Sequence, residues 1–448
     1  MRIGLFLQDT TLHNDNAEIV FLRILNEVKN NNLDLLVFPE VVYHPAIGKM
    51  RGSSLLQFEN EEDSSEIILN EIDALVKQCG CPVIFSETGV HKEIYSSYRN
   101  PNAEQEEDKC KNYFKNVATR YSAFELPAFE EYYKEQYVPI NYKGLKIGHL
   151  ICYDSAFPLF SAFYGKNNAD IIINSSGGHV DYKKWALYQR VRAIENKCYT
   201  LCVMANRNNA AKNDSCVFGY DGYGKKLSFE VIGGKKTHLT NQPNTVYIFD
   251  INKKNIDNTN VLSYAQDEFL DQKQTINKNV DFEINPEMFL NELSSIAPIL
   301  PNIFKIPIAD KNLIILKIDE DDIITPNKTM ELLYNSALKK IENKRYVLFS
   351  KWDSLSKDKF ERIIASILKV RAAENFIATI CISPNLSACF QVGLNKNIQI
   401  VSLNRGVYGI DLNRTTGPEA LWRTKQRPPK KASWRKKYEF LIKKYLET

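Results

Sequence analysis

Over its first 250 residues the chain alternates short apolar runs with stretches of helical period, and few folds satisfy both in that order. "RIGLFLQ" reads as a strand, and "AEIVFLRILNEVKNNN" as a helix whose apolar residues recur every three or four positions. "LDLLVF" is a second buried strand ending at Pro39-Glu40. "SSEIILNEIDALVKQCG" is a helix with a Ser start and a Gly stop, followed by the strand "PVIFSE". The polar segment "SSYRNPNAEQEEDKCK" has no period and is predicted to be a loop. "NVATRYSAFEL", "LKIGHLICYD", "ADIIINSS" and "TLCVMAN" read as further strands, with a helix through "KKWALYQRVRAIENK" and hairpins after Asp221-Gly222. Strands and helices mixed in this way predict a layered α/β domain over residues 1–255.

A chain of 448 residues has room for two or three domains, and its composition, 44% hydrophobic and 25% charged, is that of a globular protein with ample core. The opening segment has five apolar residues in a row, too few for a signal-peptide core, and no run approaches the ~18 residues that cross a bilayer. The expectation is a soluble, cytoplasmic protein. Nine scattered cysteines do not suggest a disulfide framework. Cys79-x-Cys81 and Cys198-x3-Cys202 lack the second pair a zinc site needs, so neither a metal nor a cofactor is expected. The net charge of +4 conceals an asymmetry: residues 414–448 hold eleven Lys/Arg against three Glu. Such a basic tail, taken as residues 416–448, can bind nucleic acid, or it is a solvated, partly helical terminus.

The run "KIGHLICYDSAFP" stops at a cysteine, and the chemistry turns on whether Cys152 is packing or nucleophile. A thiol nucleophile needs a base for its proton and donors for the oxyanion it creates. Glu40 ends a buried strand, where a carboxylate is costly without a partner or a task. Lys134 lies in "YYKEQYVP" and Cys152 closes its strand. Each is weak evidence alone, since lysines are mostly on surfaces and buried cysteines are mostly inert.

In the order "FPE", then "YxK…VP", then "GxxICYD", with "W…RVRAIEN" and "VMANR" following, residues 1 to about 255 resemble the carbon–nitrogen hydrolase (nitrilase) superfamily. That resemblance implies a four-layer αββα sandwich and a Glu–Lys–Cys triad. Glu40 would be the general base, Cys152 the nucleophile on a non-peptide amide or nitrile, and Lys134, with the backbone N–H of Tyr153, the oxyanion support. A lysine beside the thiol would favour thiolate. Aligning the family's lysine run on "TRYSAFELPAFEEYY" instead would leave Ala123 at the lysine's place, so the frame "YYKEQYVP" is preferred. Tyr142 stands where many members carry a second glutamate that orients substrate. Asn174 and Ser175 end a strand where such loops line pockets, or they form a plain turn. Asp154 orients the turn after the nucleophile or caps the next helix. Arg192 and Glu195 are read as a structural ion pair, and His44 as a hydrogen-bonded surface residue.

Past residue 256 the chain becomes polar, and residues 256–299 are read as a linker. An internal echo follows: "RVRAIEN" at 190–196 recurs as "KVRAAEN" at 369–375, and "VYIFDIN" at 246–252 as "VYGIDLN" at 407–413. "NLIILKIDEDDIITP" occupies the place of "KIGHLICYDSAFP" without its cysteine. Residues 300–415 are therefore predicted to be a smaller α/β domain, a diverged copy of residues 142–255 that has lost its nucleophile. Either it packs in cis on the surface through which family members pair, or the chain forms a homo-oligomer. Two functions stay open at this point. One is an amidohydrolase. The other is a catalytically weak or dead nitrilase-like binding module beside a nucleic-acid enzyme, in the manner of defence-related accessory proteins.

Overall fold

A computed structural model describes residues 1–9, 12, 14–40, 42–44, 49–51, 76–88, 94–100, 102–105, 108–117, 135–177, 182–205, 215–235, 239–252, 265, 280–392, 398–400, 407–418 and 428–447. The chain divides into two compact units, Met1–Asp257 and Asn258–Thr448.

The first unit holds two sheets. Strands β1 (Arg2–Leu7), β2 (Leu35–Val37) and β5 (Val83–Thr88) run parallel. β6 (Ile94–Arg99) reverses, and β7 (Cys110–Phe114) reverses again. With β13 (Glu230–Ile232) and β14 (Thr245–Asp250) they make a seven-stranded sheet, ordered β13-β14-β1-β2-β5-β6-β7. A short hairpin, β3 (Val42–His44) with β4 (Lys49–Arg51), follows β2 outside it. In the second sheet β9 (Leu145–Ile151), β10 (Ile171–Ser176) and β11 (Tyr199–Met204) are parallel. β8 (Ile140–Tyr142) and β12 (Val217–Tyr220) are its antiparallel edges, giving the order β12-β11-β10-β9-β8.

Alternation along β1 and β2 explains the layering. Phe6, Leu36 and Phe38 point one way, onto Phe21, Ile24, Leu25 and Val28 of helix α1 (Asn14–Asn30), which covers the outer face. Phe38 sits among Phe6, Phe21 and Phe85 at ring separations of 5.8, 5.5 and 4.9 Å. On the inner side β1 lies against β11, and β9 against β6 and β7. The Ser175 hydroxyl donates to the Phe38 carbonyl at 2.8 Å, tying one sheet to the other. Helices α2 (Pro158–Lys166) and α3 (Tyr182–Asn196) cover the outer face of the second sheet. The order of layers is helix, sheet, sheet, helix: an α/β sandwich of four layers.

The second unit is a smaller α/β body. In its sheet β17 (Lys311–Ile318), β18 (Lys344–Lys351) and β19 (Ala378–Ile382) are parallel. β16 (Ile303–Ile308), β20 (Ser387–Val392) and β21 (Ile398–Ile400) are antiparallel to their neighbours, and the order is β16-β17-β18-β19-β20-β21. One face packs on helix α4 (Pro286–Ser295) and the ribbon of β15 (Phe282–Ile284) with β22 (Tyr408–Ile410). Helices α5 (Asn327–Leu333) and α6 (Ala365–Asn375) complete it, with α7 (Pro428–Glu447) against α5.

Three expectations change. Residues 256–299 are not all linker, because Phe282, Ile284, Phe289 and Leu293 enter the core while the polar residues between them face out. The loop read over 96–111 contains the end of β6 and the start of β7, where Ser96 and Ser97 are buried beside Tyr95 and Tyr98 and so leave no apolar period. The tail is not simply solvated: Tyr438, Leu441, Ile442 and Tyr445 of α7 are buried, and Lys339 pairs with Glu439 at 2.7 Å. Of the strand read through "NVATRYSAFEL", residues 118–126 lie outside the described residues, as does most of the helix read over 64–80. Among the described residues, no helix is long and apolar enough to cross a membrane.

Gly148 in β9 has no room for a side chain, since a Cβ there would come within 2.6 Å of the Tyr164 ring. That ring is held by a hydrogen bond from its hydroxyl to Gln136 O at 3.1 Å and by contacts with Tyr113 and Tyr137. Gly148→Ala is expected to cost about 1–3 kcal/mol of stability, read as a lower urea midpoint at unchanged m-value.

Candidate active site

β2 and β7 end on the same edge of the seven-stranded sheet because two reversals separate them. The residues just past those ends are Glu40 and Lys115. Lys115 Nζ lies 2.6 Å from Glu40 Oε1, with side-chain exposures of 0% and 1%. Taking two ions out of water costs several kcal/mol each unless they pair closely, so a pair this dry is a commitment of the fold. Burial by itself would lower the Lys115 pKa, but the charges of Glu40 and Cys152 and the bond to Glu40 leave it raised. The ammonium stays charged.

Cys152 follows β9 and starts a 3-10 turn, Cys152–Ala156. Its φ is +46°, in the left-handed region that a residue with a side chain enters only under constraint. The constraint is visible. Asn174 Nδ2 donates to the Cys152 carbonyl at 3.2 Å, and Arg192 Nε donates to the Ser155 carbonyl at 3.2 Å. Gln189 Nε2 donates to Ser155 Oγ at 3.2 Å. Arg192 is held in turn by Glu195 at 2.7 Å, both buried. A sharp strand-to-helix turn of this kind pushes a nucleophile out of its sheet.

Around the sulfur, Ser176 Oγ donates at 3.4 Å, and the Gly177 N–H is a second donor. Burial pushes the thiol up to about 11, and the Glu40 charge adds to this; Lys115, Ser176 and Gly177 pull the other way. The resting group is a thiol, so the expected bias of a neighbouring lysine toward thiolate is present but outweighed by desolvation.

Asp154 is buried two residues on. It accepts from the backbone N–H of Asn116 at 3.1 Å, the N–H of Val117 at 2.8 Å and the Tyr113 hydroxyl at 2.9 Å. Burial pushes its carboxyl up to about 7, against Lys115 and these donors. The residue after the elbow thus anchors the segment that carries Lys115, and it caps no helix: the cap of α2 is Phe157, with no side-chain bond.

The model of the carbon–nitrogen hydrolase family matches residues 20–222, the span that contains Glu40, Lys115 and Cys152. The first unit is a carbon–nitrogen hydrolase domain. It is similar in structure to an amidase from Nesterenkonia sp. (TM-score 0.44, 16% identity, covering 56% of this chain and 90% of the other). A cysteine-to-alanine mutant of the amidase from Nesterenkonia sp. AN1, in complex with butyramide, gives a TM-score of 0.43 at 16% identity, with 56% and 90% covered. A carbon–nitrogen hydrolase from Helicobacter pylori gives 0.41 at 13%, with 56% and 89% covered. No curated protein matches the chain in sequence.

Within the hydrolase domain, the structure brings Glu40 and Cys152 to one place. Among the described residues the lysine beside them is Lys115; the expected Lys134 lies outside the described residues. The signal was present in "NYFKNV": a Tyr-x-Lys at the end of a strand, concealed because the polar residues of that strand read as loop. Tyr142 does not reach the site, since it pairs with Leu145 at the opposite end of β9, beside Lys143. Asn174 and Ser175 are fully buried and spend their polar atoms on Cys152 O, the Cys202 thiol and Phe38 O. They shape the elbow and join the sheets; it is Ser176 that touches the sulfur. The Tyr153 ring stacks on Trp185 at 6.2 Å, while its N–H opens the 3-10 turn, where helical N–H groups lack intrahelical acceptors. His44 ends β3, and its side chain lies outside what the structure describes. Among the described residues there is no cluster of His, Cys, Asp or Glu that could hold a metal ion.

Removing one member of the buried pair strands the other. Lys115→Met is expected to cost about 3–5 kcal/mol, whereas Lys115→Met with Glu40→Leu should recover most of it; thermal or urea unfolding of the three proteins measures both.

Proposed function

We propose that the first unit hydrolyses a small non-peptide amide or nitrile through Glu40, Lys115 and Cys152. The observation that supports this most is the dry Glu40–Lys115 pair beside a thiol on a strained elbow. Glu40 takes the proton from Cys152 Sγ as the sulfur attacks the carbonyl carbon. The negative oxygen that forms is stabilised by the Lys115 ammonium and the Tyr153 N–H. The C–N bond breaks as Glu40 returns the proton to the departing amine, leaving a thioester. Water, deprotonated by Glu40, attacks the thioester; the acid leaves and the thiol is restored. For a nitrile the same attack gives a thioimidate, which takes up water.

A thiol that rests protonated suits this sequence, because the proton moves only when a substrate is present to exclude solvent. Lys115, held charged by Glu40, stands ready for an oxyanion, and Glu40 is kept within the charge field of both reacting groups. The Ser176 hydroxyl and Gly177 N–H hold the sulfur in place and stabilise the thiolate as it forms.

Ammonia release from acetamide, propionamide and butyramide tests the reading. Wild type should turn over at least one amide, Cys152→Ala should lose roughly 10³-fold or more, and Glu40→Gln roughly 10²–10⁴-fold. Turnover that survives Cys152→Ala would sink it. A separate expectation concerns the resting sulfur. The ultraviolet thiolate absorbance of wild type minus Cys152→Ala should stay flat through neutral pH and rise only toward pH 11, where burial places the thiol. A step below the ordinary cysteine value of about 8.5 would show a preformed thiolate instead.

A further inference from the structure

Five strands of the second unit's sheet follow the order of the site-bearing sheet of the first. In both, three parallel strands lie between two antiparallel ones, β8-β9-β10-β11-β12 against β16-β17-β18-β19-β20, and the second sheet continues with β21. Side-chain details fall in the same register. Thr200 Oγ1 donates to the carbonyl eleven residues back, and so does Thr379. Arg192–Glu195 at 2.7 Å and Arg371–Glu374 at 2.9 Å are buried i,i+3 pairs. Asn196 and Asn375 each donate to the carbonyl of that arginine. The residues that end the two helices, Lys197 and Phe376, both have φ of +51°. Arg192 then reaches the turn after β9 at Ser155 O, and Arg371 the turn after β17 at Ile324 O.

Strand pairing fixes which residue stands where the nucleophile would. Tyr199 pairs with Ile171, which pairs with Ile147; Ala378 pairs with Val347, which pairs with Ile315. Cys152 comes five residues after Ile147, and Glu320 five after Ile315. Counting likewise from Ile171 and Val347, Gly177 corresponds to Asp353. The Gly177 N–H addresses the Cys152 sulfur, and the Asp353 N–H donates to Glu320 Oε1 at 2.8 Å. The same backbone donor meets a thiol in one unit and a carboxylate in the other.

The opposite face has been rebuilt. Ile171, Ile173 and Ser175 face the sheet whose strand ends carry Glu40 and Lys115, as the Ser175 bond to Phe38 shows. Their counterparts Val347 and Phe349 face α4 and the β15–β22 ribbon, packing on Phe289, Leu293, Ile284 and Ile410. Among the described residues, the second unit has no strands corresponding to β2 and β7. A cleft of about 730 Å³ remains at the edge where β18 and β19 end, lined by Glu287, Lys351, Trp352, Asp353, Ser383 and Ser387 among others.

We propose that the second unit is a catalytically silent copy of the site-bearing half of the first, with Glu320 in the place of Cys152 and an apolar cover in place of the base and the lysine. It takes Cys152 as the nucleophile, as proposed above, but its test does not depend on that reading. The test uses the full chain carrying Glu320→Cys on a Cys152→Ala background. Iodoacetamide labelling is followed by peptide mass at position 320, and ammonia release from propionamide is measured beside it. The new thiol should label in the folded protein within about tenfold of a free cysteine, because that position is half-buried just past the end of β17. It should release no ammonia. A thiol at 320 that stays unlabelled at unchanged melting temperature, or one that restores turnover, overturns the proposal. Glu320→Ala gives an independent reading if the cysteine variant does not fold: hydrogen exchange at the Asp353 amide should rise at least threefold, and no change would place that N–H elsewhere. Inert wild-type protein in the amide assay would remove the triad reading and leave these results standing.

Discussion

Everything at the candidate site follows from placing Glu40 and Lys115 in contact and out of water. A lone buried carboxylate or ammonium would be driven to its neutral form. Paired at 2.6 Å, the lysine keeps its charge and the carboxylate keeps a partner. Their position also decides the state of the sulfur. Burial and the Glu40 charge hold Cys152 as a thiol, and Lys115, with the Ser176 and Gly177 donors, pulls toward the thiolate. The pair costs desolvation in the resting protein and offers in return a base and an oxyanion partner that need no rearrangement when chemistry begins.

A second cost is stored at the elbow. A left-handed cysteine carries strain of about 1–3 kcal/mol, and the fold offsets it with polar contacts beneath the turn. Arg192, Gln189 and Asn174 each bond a backbone or hydroxyl group of residues 152–155. Asp154 then reaches across to the N–H groups after β7, so the segment bearing the lysine and the turn bearing the thiol are fixed to each other. Lys115 and Cys152 thereby share one anchor.

The parts of this arrangement that were legible in sequence are those at the ends of apolar strands. Glu40 after "LDLLVF" and Cys152 after "GHLI" stand out because a polar or reactive group there breaks a buried run. Lys115 was hidden because β7 is an edge strand whose residues are mostly half-buried or exposed: Asn112 is exposed and Tyr113 is its one buried residue, so no apolar run marks the strand. Asn174 and Ser175 escaped for a different reason. Sequence shows that a polar residue ends a strand, but not whether its hydrogen bonds go to substrate or to backbone. Tyr142 drew attention only by its distance along the chain from Lys134, and chain distance does not say that it lies at the end of β9 opposite Cys152. The α/β layering was readable because periodicity reports burial directly, whereas the strand and helix at 282–295 were masked by a polar neighbourhood.

The two units together separate what the architecture requires from what the chemistry requires. Arg371 and Glu374 form the same buried pair as Arg192 and Glu195, in a unit where Glu320 replaces the thiol. A pair present in a unit with no cysteine at that turn is a packing solution: it closes the helix against the turn after the first parallel strand. Glu40 and Lys115 are the reverse case. They come from a second sheet, whereas the sheet of the second unit is covered by α4 and a two-stranded ribbon, so a sheet face can be covered in either way. Only the cover made of strands ending at the site's edge can bring a base and a lysine to the sulfur. The choice of cover decides whether a carboxylate and a lysine stand beside the turn that follows the first parallel strand.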